Sequence, residues 1–316
     1  MTPTTEQKRA TFHALHRQGC FVLPNPWDAG SARMLQGLGF KALASTSSGH
    51  AWSLGQPDGA ISREMTLEHL RSLVAATDLP VNADFESGFG LGPQEVAESV
   101  RMAVDTGVAG LSIEDSSGDA ANPLRSIEEA VARLRAARAA IDEAGGGTLL
   151  VGRAENFFVG RPDLDDTIAR LKAYAEAGAD CLYAPGVTEL TDIRAVVGAV
   201  APRPVNVLLR GPAMNVAELA AAGVRRVSVG GALAAAAWAA FEAAAMSVRD
   251  EGRLPSFPVM ADELQDPSKE EHTEADREPD RRGLRRGPRA EDEGGRRNAE
   301  HSEAELQIEP QVEEDR

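Results

Sequence analysis

Residues 81–114 read VNADFESGFGLGPQEVAESVRMAVDTGVAGLSIE, and this stretch contains one complete strand–helix–strand unit. Two short apolar runs, residues 81–85 and 110–114, flank a segment with helical periodicity over residues 93–106. Pro93 suits a first helical turn, where its missing N–H costs nothing. Gly107 can take the left-handed conformation that ends a helix before the next strand. The stretch predicts two parallel strands joined by a crossover helix.

The same alternation continues on both sides of this unit, with helical periodicity in residues 66–76 and 126–144. Six further apolar runs predict strands at residues 20–24, 42–45, 149–153, 181–184, 205–208 and 226–229. Their near-continuous hydrophobicity is typical of strands that are covered on both faces. The segments DTGVAG, EAGAD and AAGVRR occur just before the fourth, sixth and eighth predicted strands. Each contains a glycine that can end the preceding helix. Eight such units predict an α/β protein with a (β/α)8 TIM barrel in residues 1–257.

Residues 258–316 lose this pattern and mix dense charge with glycine and proline. Nine of the sixteen excess negative charges of the chain lie from Ala261 onward. A segment with so few large apolar side chains cannot bury enough surface to offset the entropy lost on ordering. We therefore predict a disordered, acidic C-terminal tail, for which solvation is a simpler interpretation than binding to a partner.

Charge and cysteine content narrow the class of protein. The formal net charge of -16 argues against nucleic acid or an anionic membrane as a partner. Cys20 and Cys181 lie in apolar runs without zinc or redox spacing, so both are expected to be buried strand residues. The amino terminus is too polar for a secretory signal, and the longest apolar run, residues 232–246, is too short to cross a bilayer. We predict a cytoplasmic protein.

Acidic residues gather at the carboxyl ends of three neighbouring predicted strands. Asp84 and Glu86 follow the third strand, Glu114 and Asp115 follow the fourth, and Asp58 lies in the loop after the second. Active sites of (β/α)8 enzymes lie at this end of the barrel. Carboxylates brought this close repel one another unless a cation lies between them. Because no histidine or thiolate accompanies them, the set indicates Mg2+ or Mn2+; helix capping or solvation of each acid is the alternative.

Four motifs resemble those of the isocitrate lyase and phosphoenolpyruvate mutase superfamily. They are STSSGHAWSLGQPDG at 45–59, NADFESGFG at 82–90, LSIED at 111–115 and LLVGRAE at 149–155. They occur in the order and on the strands that the family uses, and the resemblance covers nearly all of residues 10–250. It implies a Mg2+-dependent enzyme that acts on a small 2-oxo or 2-hydroxy carboxylate through an enolate.

The resemblance also assigns the metal site. It implies that Asp84 is the direct metal ligand, and that three further acids hold metal-bound waters: Asp58, Glu86 and Glu114. Glu86 stands where the family usually has aspartate, so its carboxylate lies one methylene further from the backbone. The charge is kept, and the position of the water that it holds is expected to shift.

Residues that bind and activate the substrate follow from the same motifs. The resemblance and the strand-end positions imply that the substrate contacts Ser45, Thr46, Ser47, Arg153 and Asn206. Arg153 would neutralise the bound anion or its enolate, and with Glu114 it is the predicted catalytic pair. An arginine at the end of an apolar strand needs an anionic partner in any case. A structural ion pair with Glu155 or Glu114 is therefore the alternative for Arg153.

Other pocket candidates near the strand ends are His50, Trp52, Tyr183 and Arg210. The ordinary pKa of histidine suits a general acid, so His50 is one candidate for that role. A single loop histidine is more often structural or solvated. Tyr183 is expected to fill the top of the barrel, and Arg210 either faces the pocket or points to solvent.

Two departures from the family pattern leave the reaction open. The loop at residues 116–126, SSGDAANPLRS, lacks the cysteine, histidine and lysine of the lyases' K-[KR]-C-G-H loop and the lysine of the mutases. Asn122 could match the mutases' asparagine, although Asn-Pro is also typical of a turn. Gly186 replaces the glutamate of the lyases' Pro-Glu pair.

Three functions therefore remain as hypotheses. The leading one is a carbon–carbon lyase that resembles oxaloacetate decarboxylases or 2-methylisocitrate lyases. The alternatives are P–C chemistry of the phosphonopyruvate hydrolase or mutase type, and a barrel that binds its ligand without catalysis. The resemblance further implies a homodimer or homotetramer formed through the last barrel helix, where Trp238 and Phe241 widen the apolar face; burial within the same chain is the alternative.

Overall fold

Eight parallel strands form the centre of the computed structural model, which describes residues 2–256. The strands are β1 (Phe21–Leu23), β2 (Leu43–Ala44), β3 (Val81–Asp84), β4 (Gly110–Glu114), β5 (Leu149–Arg153), β6 (Cys181–Tyr183), β7 (Val205–Leu208) and β8 (Arg226–Ser228). The helices are α1 (Thr5–Leu15), α2 (Ala29–Gly37), α3 (Ser47–Ser53), α4 (Arg63–Ala76), α5 (Pro93–Asp105), α6 (Ile127–Glu143), α7 (Leu164–Glu176), α8 (Leu190–Val200), α9 (Val216–Ala221) and α10 (Ala232–Glu251).

The strands pair in the order β1-β8-β7-β6-β5-β4-β3-β2, and every pair is parallel. A hydrogen bond of 3.0 Å from the Ala44 N–H to the Pro24 carbonyl joins the segments of β2 and β1 and completes the ring. The predicted (β/α)8 barrel is confirmed, and each predicted strand overlaps an observed one. The tail predicted at residues 258–316 lies outside the described residues.

Glycines end the helices that precede β4, β6 and β8, as the repeated phrases predict. Gly107, Gly178 and Gly223 have φ values of 90°, 104° and 89°. An L-residue with a Cβ is strained in this region, so glycine lets the chain leave each helix and enter the strand directly. Cys181 is fully buried in β6 as expected, whereas Cys20 precedes β1 and is only half-buried, which corrects that prediction.

Helix α1 covers the amino-terminal end of the barrel, a role that the sequence pattern did not indicate. Phe12 is fully buried in a cluster that includes Leu23 from β1 and Leu149 from β5. The ammonium group of Lys8 donates to the Thr77 carbonyl at 2.5 Å, just after α4. Because this end is closed, the carboxyl ends of the strands form the open end of the barrel.

Two stacked histidines lie between α3 and α4. The rings of His50 and His69 are 3.7 Å apart and nearly parallel, and burial lowers the pKa of His69 to about 3, with a smaller contribution from His50. Among the described residues the Nε2 atoms of both rings have no hydrogen-bond partner. His50 is therefore part of the packing against α4, and the structural interpretation of this residue holds.

Protonation of His69 is expected to make the fold less stable in acid. Because the pKa falls from 6.5 in the unfolded chain to about 3 in the folded one, the unfolded chain binds the proton more readily between these values. The contribution of neutral His69 is thus complete above pH 6.5 and is lost as the pH falls, by about 1.4 kcal/mol per pH unit.

Phenylalanine at position 69 keeps a planar ring and removes this titration. We expect the loss of unfolding free energy between pH 7 and pH 5, measured by urea denaturation, to be about 2 kcal/mol smaller in His69→Phe than in the wild type. Other titrating groups contribute equally to both proteins, so the wild type is the matched control. Equal losses in the two proteins would show that folded His69 accepts the proton.

Candidate active site

A cavity of about 500 Å³ opens at the carboxyl ends of the strands and reaches into the barrel interior. Seven of the nine predicted metal and substrate residues line it: Ser45, Thr46, Ser47, Asp58, Asp84, Arg153 and Asn206. Glu86 and Glu114 are close enough to Asp84 for its charge to raise the pKa of both, but among the described residues they do not line this cavity. The fold thus brings the predicted substrate and metal residues to one place, and their roles remain predictions.

The turn after β2 is tied to Asp84 from both sides. The Ser47 N–H donates to Oδ2 of Asp84 at 3.0 Å, and the Asp84 N–H donates to Oγ of Ser45 at 2.8 Å. The Thr46 hydroxyl caps α3 by accepting from the Gly49 N–H at 3.2 Å. The Ser47 N–H, one of the donors predicted for the substrate carboxylate, is therefore engaged within the protein, and the turn fixes the direction of the Asp84 carboxylate.

Arg153 pairs with three carboxylates at the end of β5. Its Nη1 lies 3.1 Å from Oδ1 of Asp84 and 3.1 Å from Oε2 of Glu114, and its Nε donates to Glu155. The guanidinium also lies 5.4 Å from the centre of the Tyr183 ring, so Tyr183 packs beneath it in the cavity wall. The ion pairs with Glu155 and Glu114 that were the structural alternative for Arg153 are present. Arg153 also lines the cavity, and its role toward the substrate stays a prediction.

Negative charge exceeds positive charge around Arg153. The pKa of Glu86 is raised to about 8, mainly by burial and to a smaller extent by the neighbouring carboxylates Asp84, Glu114 and Asp58. Burial is also the largest cause of the raised pKa of Asp58 and of Glu114. The single guanidinium of Arg153 is shared by these four carboxylates and that of Glu155. A bound cation would reduce the repulsion between the carboxylates.

The acidic side chains around Asp84 could serve as ligands for a hard cation. Their donor atoms are all carboxylate oxygens, the ligands that Mg2+ prefers, and Mg2+ usually keeps several waters. In residues 2–256 no three acidic, histidine or cysteine side chains stand close enough to hold one ion together. This arrangement fits an ion that Asp84 touches directly while the other acids act through water, as the sequence motifs imply.

The loop after β3, which carries Glu86, is held by Arg133 of α6. Glu86 and Phe89 have φ values of 46° and 50°, a conformation that is strained for residues other than glycine. The buried Arg133 guanidinium donates to the carbonyls of Ser87 at 2.6 Å and Gly90 at 2.8 Å. These bonds fix the strained loop, and the role of Arg133 was missed because it lies more than 40 residues away in sequence.

Asp115 differs from the other acids of the predicted cluster, since it points away from the cavity toward α7. It is 1% exposed, and its Oδ1 accepts from the Glu155 N–H at 2.8 Å. Its Oδ2 accepts from Nη1 of Arg170 at 3.1 Å and from the Tyr174 hydroxyl at 2.5 Å. The prediction that placed Asp115 with the strand-end acids is therefore corrected. Asp115 binds the backbone N–H of Glu155 from the side of α7.

The loop after β4 forms a small hairpin, bridged between Ser116 and Leu124. The Asn122 side chain is exposed and donates to Oδ2 of Asp119 at 3.3 Å. Asn122 does not line the cavity in the described residues, so the structure supports the turn interpretation of Asn-Pro. Gly186 has a φ of 90°, and a Cβ there would lie 2.8 Å from Cβ of Phe157, so a glutamate has no room at this position.

Residues of β7 and of the loop that follows it complete the cavity. Asn206 is 1% exposed at its floor, where its Nδ2 donates to Oγ of Ser228 at 3.0 Å and its Oδ1 accepts from Nε of Arg226 at 2.9 Å. Arg210 and Trp52 also line the cavity, and Arg210 is exposed. Both polar ends of the Asn206 side chain are thus engaged within the barrel, whereas Arg210 extends from the rim.

Helix α10 leaves an apolar surface open next to the cavity. The exposed fractions of Trp238, Phe241 and Met246 are 41%, 66% and 46%. With Trp52 they line a groove of about 750 Å³. None of the described helices combines the length and hydropathy that a bilayer span requires.

Sequence comparison places these features in a known family. The family model for phosphoenolpyruvate phosphomutase matches residues 12–249. An uncharacterised protein of Mycobacterium tuberculosis strain H37Rv is 32% identical over 247 residues, which cover 78% of this chain and 91% of the relative. An oxaloacetate decarboxylase of Paraburkholderia xenovorans is 31% identical over 206 residues, which cover 63% of this chain and 67% of that enzyme.

Solved structures show the same fold. A Burkholderia cenocepacia J2315 protein, assigned provisionally as a lyase or mutase, has a TM-score of 0.80 and 48% identity over 83% of this chain and 96% of its own. Oxaloacetate acetylhydrolase, solved with its product oxalate, has a TM-score of 0.75 and 27% identity over 83% of this chain and 94% of its own. The chain therefore belongs to the phosphoenolpyruvate phosphomutase family, within the isocitrate lyase and phosphoenolpyruvate mutase superfamily of enzymes.

Proposed function

We propose that the protein is a Mg2+-dependent carbon–carbon lyase that acts on a small 2-oxo or 2-hydroxy carboxylate through an enolate. The observation that carries this proposal is the juxtaposition of Asp84, the Ser45–Ser47 turn and Arg153 at one cavity. Among the relatives, the oxaloacetate decarboxylase of Paraburkholderia xenovorans and the 2-methylisocitrate lyase of Escherichia coli have names that agree with this reaction class.

Asp84 would hold the metal, with Asp58, Glu86 and Glu114 oriented toward its waters. Mg2+ held there would supply Lewis-acid chemistry toward a 2-oxo carboxylate. The excess of carboxylates over guanidinium groups supports a divalent ion at this place. Mn2+ has the same ligand preferences and is expected to replace it.

Arg153 and the β2 turn would act on the substrate itself. The Ser45–Ser47 turn and Asn206 line the wall against which the substrate carboxylate binds. The Arg153 guanidinium stabilises the negative charge of the enolate by charge-assisted hydrogen bonds. Three carboxylates hold Arg153 in position, so its orientation does not depend on the substrate.

Decarboxylation of oxaloacetate makes the smallest demand on this site. It needs the metal, the carboxylate-binding turn and Arg153, and it makes the least demand on the loop after β4, because the enolate left when CO2 departs takes its proton from water. The hairpin at residues 116–124, which offers no cysteine, histidine or lysine, agrees with that choice. P–C chemistry and ligand binding without catalysis remain the alternatives that a substrate screen would separate.

Thermal melting tests the metal and enolate site directly. Oxalate is a planar mimic of the pyruvate enolate, and a ligand at one hundred times its Kd stabilises the fold by about 2.7 kcal/mol. We expect oxalate with Mg2+ to raise Tm by about 5 °C or more, oxalate alone to have little effect, and Asp84→Ala to lose the shift.

The matched control for this experiment is Asp78→Ala, which removes an exposed aspartate before β3, at the opposite end of the barrel. This variant should keep the full oxalate shift. An absence of any shift in the wild type would contradict the enzyme proposal and leave a binding or scaffold protein.

We further propose that the apolar surface of α10 is covered by a second copy of the chain. Exposed Trp238, Phe241 and Met246 form a continuous face that a homodimer or homotetramer would bury. Light scattering of the wild type and of Phe241→Glu measures this: the wild type should be oligomeric and the variant smaller. A monomeric wild type would contradict the proposal.

A further inference from the structure

We propose that Arg210 binds a second anionic group of the substrate, so that the cavity selects 2-oxo acids with an additional carboxylate or phosphonate. The inference rests on the proposed function, because it concerns the other end of the same ligand. Arg210 follows β7 and lines the cavity at its open rim.

Three arginines line the cavity, and within residues 2–256 Arg210 is the one that is neither assigned to the enolate nor engaged by other side chains of the barrel. Arg153 is engaged by three carboxylates. Arg226 is 3% exposed and donates to Oδ1 of Asn206 at 2.9 Å beneath the floor. Arg210 is exposed, and no acidic side chain within residues 2–256 forms an ion pair with it. A ligand with two negative groups therefore finds its second cation at Arg210.

An aromatic ring holds the Arg210 guanidinium at the rim. The guanidinium carbon lies 5.3 Å from the centre of the Phe158 ring, a cation–π distance. The ring in turn packs on Gly186, where a Cβ would stand 3.2 Å from Cδ2 of Phe158. A guanidinium stacked on a ring keeps its in-plane N–H groups free for a bidentate contact with a carboxylate or phosphonate. Gly186 thus makes room for the ring that supports Arg210.

The position of Arg210 in the barrel suits the far end of a short ligand. In a closed ring of eight strands, β3 and β7 are four places apart and lie on opposite sides. Asp84 closes β3, and Arg210 follows β7. A ligand that is anchored beside Asp84 and extends across the mouth therefore points its other end toward Arg210.

The test compares oxalate, which occupies only the metal-binding end of the proposed site, with longer ligands that carry an anionic group beyond that end. In the presence of Mg2+, the Kd values of oxalate, 3,3-difluorooxaloacetate and phosphonopyruvate are measured by calorimetry for the wild type and for Arg210→Met. We expect the Kd of at least one of the two longer ligands to rise about 10-fold to 100-fold in the variant, and that of oxalate to change less than about twofold. The longer ligand with the larger loss identifies the second group as carboxylate or phosphonate.

Two further variants separate charge from packing. Arg210→Lys keeps the positive charge and should recover part of the lost affinity. Arg203→Met removes an exposed arginine before β7, at the other end of the barrel, and should bind all three ligands as the wild type does.

The outcomes distinguish this inference from the proposed function. Equal weakening of all ligands in Arg210→Met, or no weakening of either longer ligand, would overturn the role of Arg210. If the wild type fails to bind oxalate but binds a longer ligand in an Arg210-dependent way, the role of Arg210 stands and the metal–enolate function is rejected. An absence of binding by all three ligands overturns both.

Discussion

Replacement of Arg153 by methionine is expected to lower the free energy of unfolding by about 3–5 kcal/mol and to abolish the stabilisation by oxalate with Mg2+. The guanidinium pairs with Asp84, Glu114 and Glu155, whose side chains are 20%, 14% and 5% exposed. Methionine fills a similar volume but leaves these carboxylates without a cation. Urea denaturation gives the stability loss, and thermal melting gives the ligand effect.

A second substitution shows whether lost charge compensation is the cause. Glu155→Gln removes the most buried of the three carboxylates, so adding it to Arg153→Met should recover about 1–2 kcal/mol of the lost stability. In the wild-type background the same change should be destabilising, because it removes a partner of Arg153. If the two substitutions were simply additive, packing rather than charge would explain the effect of Arg153→Met.

The same cluster shows what the sequence could predict. The carboxyl ends of parallel strands in a barrel lie on one face. The position of a residue relative to its predicted strand was therefore enough to predict that four residues lie close together: Asp58, Asp84, Glu114 and Arg153. The barrel itself followed from the eight runs and from glycines such as Gly107, because these features are local in sequence.

Contacts between distant segments could not be predicted in this way. Arg133 lies more than 40 residues from the carbonyls that it binds, and Phe158 is more than 50 residues from Arg210. No periodicity in the sequence encodes such pairs, since each depends on how two loops pack in three dimensions. Asp115 was grouped with the metal acids for the same reason: its position after β4 is local information, but the partner on α7 that determines its direction is not.

Substitution of Asp115 by asparagine is the second change for which we expect a large effect, a loss of about 3 kcal/mol or more in unfolding free energy. The carboxylate is 1% exposed and accepts from the Glu155 N–H, from Arg170 and from the Tyr174 hydroxyl. An amide has one oxygen for these donors, and its own N–H groups face at least one of them. Arg170 also loses a buried counterion, although Asp166 still pairs with its Nε at 2.7 Å.

Because Asp115 anchors the backbone of Glu155, and Glu155 pairs with Arg153, the substitution should also reach the cavity. We expect oxalate with Mg2+ to raise Tm by fewer degrees in Asp115→Asn than in the wild type. Each rise is measured from the Tm of the same protein without ligand. Tyr174→Phe is the matched control: it removes one hydroxyl donor to Asp115, should cost about 1 kcal/mol, and should keep the oxalate shift. If oxalate with Mg2+ raised Tm in Asp115→Asn as much as in the wild type, the carboxylates that pair with Arg153 would be sufficient to position it. The contacts of Asp115 with α7 would then not be needed.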